Sequence, residues 1–308
     1  MEQLPSTYFT TSPEWGWYIT FYFFIGGIAG GSLFLGTLMQ LFGRPEDRPI
    51  IGLSYIVAFV GAVISGILLI LDLGRPERFW HMMLESETMQ PMFKYWSPMS
   101  VGVWGLLLFG AFATLLAFGA LYDSGRVRWG ILRPLSHGPL GTILAILGAT
   151  FGFFLAGYTG VLLAATNRPA WSDSPWLGVL FLFSAASTAA ATLMLLGRRR
   201  GAPGTLAYLS NVDKAALVLE LIALVVFLVT IGETIAIFFN LWGLLLVLGT
   251  VVAGILLPLA MGFGKVWRPR NRLVAVASLV LIGGFILRFT TIFASEQVES
   301  PSHVVEMP

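Results

Sequence analysis

Eight apolar stretches, each long enough to cross a bilayer as a helix, occupy most of this 308-residue chain. Spanning the hydrocarbon takes about 20 mainly apolar residues. Such runs fall at 17–43, 52–73, 98–122, 138–165, 175–197, 212–238, 240–264 and 272–293. The expected fold class is therefore all-α, a polytopic membrane protein of eight transmembrane helices. Eight spans divide naturally into two four-helix bundles. Composition agrees, since a mean hydropathy of +0.83 with 56% hydrophobic residues lies outside the range of soluble domains. Little chain is left over, so 1–308 reads as a single integral membrane domain. Outside the bilayer the largest pieces are the 74–97 connection, the 166–174 loop and the two tails. The stretch before the first helix carries Glu2 and Glu14 but no Lys or Arg, the opposite of a secretory leader. The first helix is expected to remain in the mature protein.

Basic residues separate the two membrane faces. The connections after helices 1, 3, 5 and 7 hold thirteen: Arg44, Arg48, Arg126, Arg128, Arg133, Arg198, Arg199, Arg200, Lys214, Lys265, Arg268, Arg270 and Arg272. The opposite face holds Arg75, Arg78, Lys94 and Arg168. Lys and Arg accumulate on the cytoplasmic side. Both termini and the 72–97 segment are therefore expected on the outer face of a bacterial or archaeal cytoplasmic membrane. The tail charges, Glu296, Glu299 and Glu306, agree with that orientation. Trp15, Trp17, Trp80, Trp96, Trp171 and Trp176 lie near the outer boundary, as an interfacial aromatic belt would.

The residue inventory excludes several chemistries. With no cysteine the chain forms no disulfide, ligates no iron–sulfur cluster through thiolates and offers no thiolate nucleophile. Its three histidines, His81, His137 and His303, fall at helix ends or in a tail, so none pairs across helices to hold a transmembrane haem. No metal-ligand spacing, nucleophile elbow or phosphate loop stands out. If the protein handles electrons, another subunit must deliver or accept them.

Polar groups are sparse, and where they concentrate is informative. Only 11% of the chain is charged, yet Asp72, Arg75, Glu77, Arg78 and the titratable His81 crowd into positions 72–81. Charge at the edge of hydrocarbon is costly and marks a candidate site, although Gly74 and Pro76 also suit a plain helix stop. Tyr158 is expected in the outer third of helix 4, with Asp72, Tyr18 and Tyr22 at a similar height. Donors and acceptors from three helices there suit a carbonyl-bearing amphiphile entering from the lipid. Within the spans, Glu220 is expected on the inner half of helix 6 without a basic partner except Lys214. Glu233 is expected near the outer end of the same helix, level with Arg288. The latter two suit a buried ion pair, and Glu220 suits a proton path. Helix 1 carries the overlapping small-residue pairs Gly26/Gly30 and Gly27/Gly31, and Gly61/Ser65 and Gly148/Gly152 repeat the spacing. Such pairs let helix backbones approach closely, and a glycine face also leaves room for a flat ligand.

Four segments carry a family resemblance: GGIAGG (26–31), DLGRPERFWH (72–81), SPMSVGVW (97–104) and GYTGVLL (157–163). On these the chain resembles the NrfD-like membrane subunits, typified by the membrane subunit of polysulfide reductase, over nearly its whole length. The resemblance implies a subunit of a respiratory oxidoreductase that binds a quinone (menaquinone or ubiquinone) reversibly near the outer face, with no haem or iron–sulfur cluster of its own. It also implies a ferredoxin-like iron–sulfur subunit as partner and, through it, a molybdopterin or multihaem catalytic subunit. Tyr158 would hydrogen-bond a quinone carbonyl, and Asp72, Arg75 and His81 would shape the pocket mouth. Early in helix 1, where some members of the family carry an amide or imidazole, this chain has Trp17, Tyr18 and Tyr22. The outer connection, with Arg78, Trp80, Glu85, Glu87 and Lys94, mixes charge and aromatics as docking surfaces do. The competing expectations are a secondary transporter or proton channel using Glu220 and Glu233, and a purely structural anchor for an extrinsic complex.

Overall fold

The computed structural model describes residues 15–136, 138–263 and 269–296. His137, His303, Lys265, Arg268, Glu2, Glu14, Glu299 and Glu306 lie outside the described residues, as do the side chains of Arg270 and Glu296. Among the described residues the chain is nearly all helical, with one isolated antiparallel bridge between Leu84 and Pro91. Eight helices make up the body. They are α1 (Trp17–Phe42), α2 (Arg48–Asp72), α3 (Pro98–Asp123), α4 (Gly138–Ala164), α5 (Leu177–Gly197), α6 (Pro203–Thr230), α7 (Leu241–Gly262) and α8 (Pro269–Glu296). Among the described residues seven are long and apolar enough to cross a membrane, and the count is eight if α6 and the turn that follows it form one span. The protein is a multi-pass membrane protein.

Local chemistry sets the helix boundaries. Proline occupies the first turn of α2, α3 and α6, where its missing N–H leaves no carbonyl unpaired and its fixed φ is already helical. The Ser97 hydroxyl accepts from the Ser100 N–H at 3.4 Å and caps α3, satisfying one of the donors a helix start exposes.

The helices pack as two rings of four. Helices α1 to α4 form one and α5 to α8 the other, with α1 and α4 seated against α5. The small-residue spacing explains how closely they sit. A Cβ at Gly30 would overlap the Gly152 carbonyl oxygen on α4, and one at Gly31 would come within 2.7 Å of the Ala185 carbonyl oxygen on α5. Thr37 adds a hydroxyl bond to the Ala145 carbonyl, 3.1 Å, across the α1–α4 contact. Lipid supplies no hydrophobic drive between helices, so close packing and such bonds hold the bundle together.

Two helices depart from the sequence reading. The apolar run 212–238 is not one helix. Helix α6 starts nine residues earlier, at Pro203, and ends at Thr230. Gly232 then adopts φ +60°, a left-handed conformation that glycine takes without steric cost, and the chain bends by 112° into the 3₁₀ turn Gly232–Phe238. Lys214, counted among the basic residues of the connection, lies within α6, and its stem lies against Gly262 of α7. Within α7 the turns widen to π-helical over Leu246–Leu256. The widening stops just before Pro258, whose ring would clash with the Gly254 carbonyl in a regular helix.

Candidate functional site

Tyr158 stands where two of the sequence motifs meet. Its hydroxyl donates to the Pro98 carbonyl at 2.6 Å, and its ring stacks on Phe154 at 5.0 Å. A Cβ at Gly102 would overlap that hydroxyl, so the glycine one turn into α3 makes the contact possible. Trp104 closes the same corner by donating its indole N–H to the Met92 carbonyl at 3.1 Å. SPMSVGVW and GYTGVLL are thus two halves of one packing unit, a role for Pro98, Gly102 and Trp104 that the sequence reading did not assign.

Tyr22 of α1 packs its ring against Phe23, with ring centres 5.4 Å apart. It is 2% exposed, and its hydroxyl has no hydrogen-bond partner among the described residues. The ring edge and the Ser65 hydroxyl of α2 both flank Gly26, at 3.4 and 3.5 Å from where its Cβ would be. The hydroxyls of Ser65 and of Thr159, next in the chain to Tyr158, are buried without a partner. Buried polar groups are normally paired, so these hydroxyls hold spare hydrogen-bonding capacity on α1, α2 and α4.

The other residues expected at this depth are not drawn in with them. Tyr18, in the first turn of α1, is 48% exposed. Asp72 lies at the exposed end of α2, and no hydrogen bond joins either residue to Tyr158. Arg75 is exposed, and Pro76–Met82 forms a 3₁₀ turn. His81 stacks on Trp80 with ring centres 3.8 Å apart, and its Nδ1 shares a 2.8 Å hydrogen bond with the Ser86 hydroxyl. The connection then folds back on itself. Glu85 N–H donates to the Gln90 carbonyl and Met92 N–H to the Met83 carbonyl, at 2.9 and 2.8 Å. Arg78, Glu85, Glu87 and Lys94 are exposed beside the half-buried Trp80. None of these charges forms an ion pair among the described residues.

The buried charges pair differently from the expectation. Glu233 sits in the turn beyond α6 and is exposed, so the Glu233–Arg288 pair does not form. Arg288 is fully buried instead against α1 and α5. Its guanidinium donates to the Phe23 carbonyl (3.1 Å), the Ser184 hydroxyl (3.0 Å), the Gly284 carbonyl (2.8 Å) and the Phe181 carbonyl (3.5 Å). Phe181 also presents its ring face 5.2 Å from the charge. Gly27 makes the space, because a Cβ there would lie 3.0 Å from Nη2.

Glu220 is not alone either. It is 2% exposed, accepts from the Ser187 hydroxyl at 3.0 Å, reaches the Ser184 hydroxyl and interacts with Arg288. The earlier start of α6 explains the error in depth. Glu220 lies about 25 Å from the first residue of α6 and about 15 Å from the last, at about 1.5 Å per residue, which brings it level with Arg288. Asp213, two turns back on α6, is also buried, interacts with Glu220 and Lys214, and has an unpartnered Oδ1. Ser184, Ser187 and Asp213 were not singled out from sequence. A serine pair three residues apart on an apolar helix was the one available signal.

Comparison with known proteins sets these features in a lineage. Residues 7–299 match the family model described as polysulphide reductase, NrfD. The chain is 28% identical to the protein NrfD homolog of Haemophilus influenzae, over 95% of this chain and 97% of that one. It is 27% identical to protein NrfD of Escherichia coli, over 94% and 98% of the two. To the C subunit of polysulfide reductase from Wolinella succinogenes it is 29% identical, over 59% of this chain and 58% of the other. A match spanning nearly the whole sequence, on a frame of eight apolar helices, makes this chain a member of the NrfD (polysulphide reductase) family.

Proposed function

We propose that this protein is the membrane-anchoring, quinone-reactive subunit of a multi-subunit oxidoreductase. Relatives named as subunits of polysulfide and selenate reductases support the anchoring role. The observation that carries the quinone reading is the set of buried hydroxyls without a partner among the described residues, on Tyr22 of α1, Ser65 of α2 and Thr159 of α4. These are neutral donors on three helices, and a quinone ring offers two carbonyl acceptors. The residues therefore fit the group. A bound quinone would supply two-electron, two-proton redox chemistry that no side chain of this cysteine-free chain supplies. Tyr158, held by Phe154 and with its proton committed to the Pro98 carbonyl, offers an oxygen lone pair to a quinol hydroxyl; Tyr22 supplies a donor to a quinone carbonyl from α1. Asp72, at the exposed end of α2, is available to exchange protons with water.

On this reading the 74–97 connection, with its unpaired Arg78, Glu87 and Lys94 around Trp80, docks a ferredoxin-like iron–sulfur subunit on the outer face. That subunit in turn serves a molybdopterin or multihaem catalytic subunit. The test is isolation of the complex from the native membrane in mild detergent. An iron–sulfur protein should co-purify, and its clusters should be reduced by added quinol or should reduce added quinone. A protein that purifies without a redox partner and supports solute flux in vesicles would point to a transporter instead.

A second reading concerns protons. Asp213, Glu220, Ser187, Ser184 and Arg288 form a buried polar row through α5, α6 and α8, which favours a proton path beside the redox role. Glu220→Gln keeps the shape but carries no proton. The complex in sealed vesicles should then build less membrane potential per electron while still turning over quinol.

A further inference from the structure

We infer that the basic end of the first ring holds an anionic phospholipid in a built cavity. The cavity, of about 840 Å³, opens where α1 and α3 end and α2 and α4 begin. That volume is within the range of specific ligand sites. It touches neither Tyr158 nor Tyr22, and the inference is independent of the quinone reading.

Its chemistry is split along its depth. At the rim are Arg44 from the α1–α2 connection, Arg48 from the first turn of α2, Arg126 from the α3–α4 connection and Arg200 from the α5–α6 connection, against one carboxylate, Asp123. Arg48, Arg126 and Arg200 are exposed and have no carboxylate partner among the described residues. Arg44 makes a 3.8 Å contact with Glu46, both well exposed, which is worth little. Further in, the lining becomes apolar, with Ile56 of α2 and Leu116 of α3 about two turns from the helix ends. Between the two zones Gln40 accepts from the buried Tyr55 hydroxyl at 2.6 Å, which leaves its amide N–H donors for an occupant.

Three observations select a lipid. The cationic rim and apolar depth match a phosphate followed by acyl chain. Phe42, Trp129 and Ile131 stand exposed at this end, as residues at headgroup level do. Basic pockets between transmembrane helices are also the usual seat of anionic headgroups. Because Arg200 belongs to the second ring's connection, a phosphate held jointly by Arg48, Arg126 and Arg200 would tie the two rings together at this face.

The test uses the full-length protein in detergent, and native mass spectrometry after incubation with phosphatidylglycerol, with phosphatidylcholine or with glycerol phosphate. Phosphatidylglycerol should bind at a defined stoichiometry, and the other two should not. The triple variant Arg48→Gln/Arg126→Gln/Arg200→Gln should weaken that binding on the order of 100-fold, each basic group near a membrane surface being worth about fivefold. Gly52→Leu keeps every arginine and fills the slot, since a Cβ there makes only an ordinary 3.6 Å contact with Ala120. It too should lose the lipid. Equal binding of the zwitterionic lipid, capture of glycerol phosphate alone, or undiminished binding in either variant would overturn the inference.

Discussion

The protein buries two polar clusters, and they are built on opposite principles. Around Arg288, in the second ring, every strong donor is answered by a carbonyl or hydroxyl oxygen at 2.8–3.5 Å, and Glu220 is bonded to serine. Around Tyr158, in the first ring, the groups are neutral, and Tyr22, Ser65 and Thr159 keep hydroxyls without partners. A buried charge left unpaired costs several kcal/mol, whereas an unpaired hydroxyl costs about 1–3 kcal/mol. The Arg288 guanidinium therefore has to find its partners in the resting protein, and the one unpartnered atom of the charged row among the described residues is Asp213 Oδ1. The hydroxyl cluster can stay incomplete and take its missing bonds from a ligand that comes and goes. One region fixes the helices; the other is left open to exchange.

The sharpest way to break this contrast is to remove the charge. Arg288→Met removes four hydrogen bonds to α1, α5 and α8, and at about 0.5–1.5 kcal/mol each should cost several kcal/mol. A large drop in the thermal unfolding midpoint in detergent would report it. Adding Glu220→Gln should recover part of the loss, because the two groups are coupled. If Arg288→Met unfolds like wild type, the cluster is not what holds α1, α5 and α8 together.

A smaller effect is expected from closing the seam between α1 and α4. Gly30→Leu drives a side chain into the Gly152 carbonyl, and overpacking of this kind costs about 1–3 kcal/mol. Stability should fall, with quinol turnover in the surviving fraction falling further because Tyr22 moves with α1. Unchanged turnover at reduced stability would separate the seam from the site.

The gross fold was legible in the sequence because the bilayer imposes a length on apolar runs. The family was legible in short motifs, and the glycine spacing pointed to close packing of α1 and α4 without saying which helices meet there. What failed was partnership in three dimensions. Glu233 and Arg288 were matched by height alone, yet the turn at Gly232 carries Glu233 out of α6. Glu220 was placed too near the inner face because the polar first turns of α6, Pro203 to Val212, do not look apolar. Hydropathy reads where lipid is, and those turns lie at the membrane's edge. Of the residues read at one depth, Tyr158 and Tyr22 are buried, whereas Tyr18 and Asp72 are exposed.

Weaker still should be the effect of the outer connection on the isolated protein. Arg78→Glu/Lys94→Glu changes two exposed charges without ion-pair partners, so its own stability should stay within about 0.5 kcal/mol. Its consequence should appear only in the complex, as earlier release of the iron–sulfur partner when salt is raised. Release at the same salt concentration as wild type would remove this surface from the docking role.

The central claim, that the open hydroxyl cluster is a quinone site, is tested most directly by Tyr158→Phe in the purified complex, with quinol kinetics and thermal unfolding measured on the same preparation. The substitution keeps the ring on Phe154 and removes only the hydroxyl. Quinol turnover should fall about two- to tenfold, equivalent to a hydrogen bond of about 0.5–1.5 kcal/mol. Electron transfer among the partner subunits should stay intact, and the unfolding midpoint should drop only by the lost bond to Pro98. Quinol turnover equal to wild type, with that same small loss of stability, would contradict the claim.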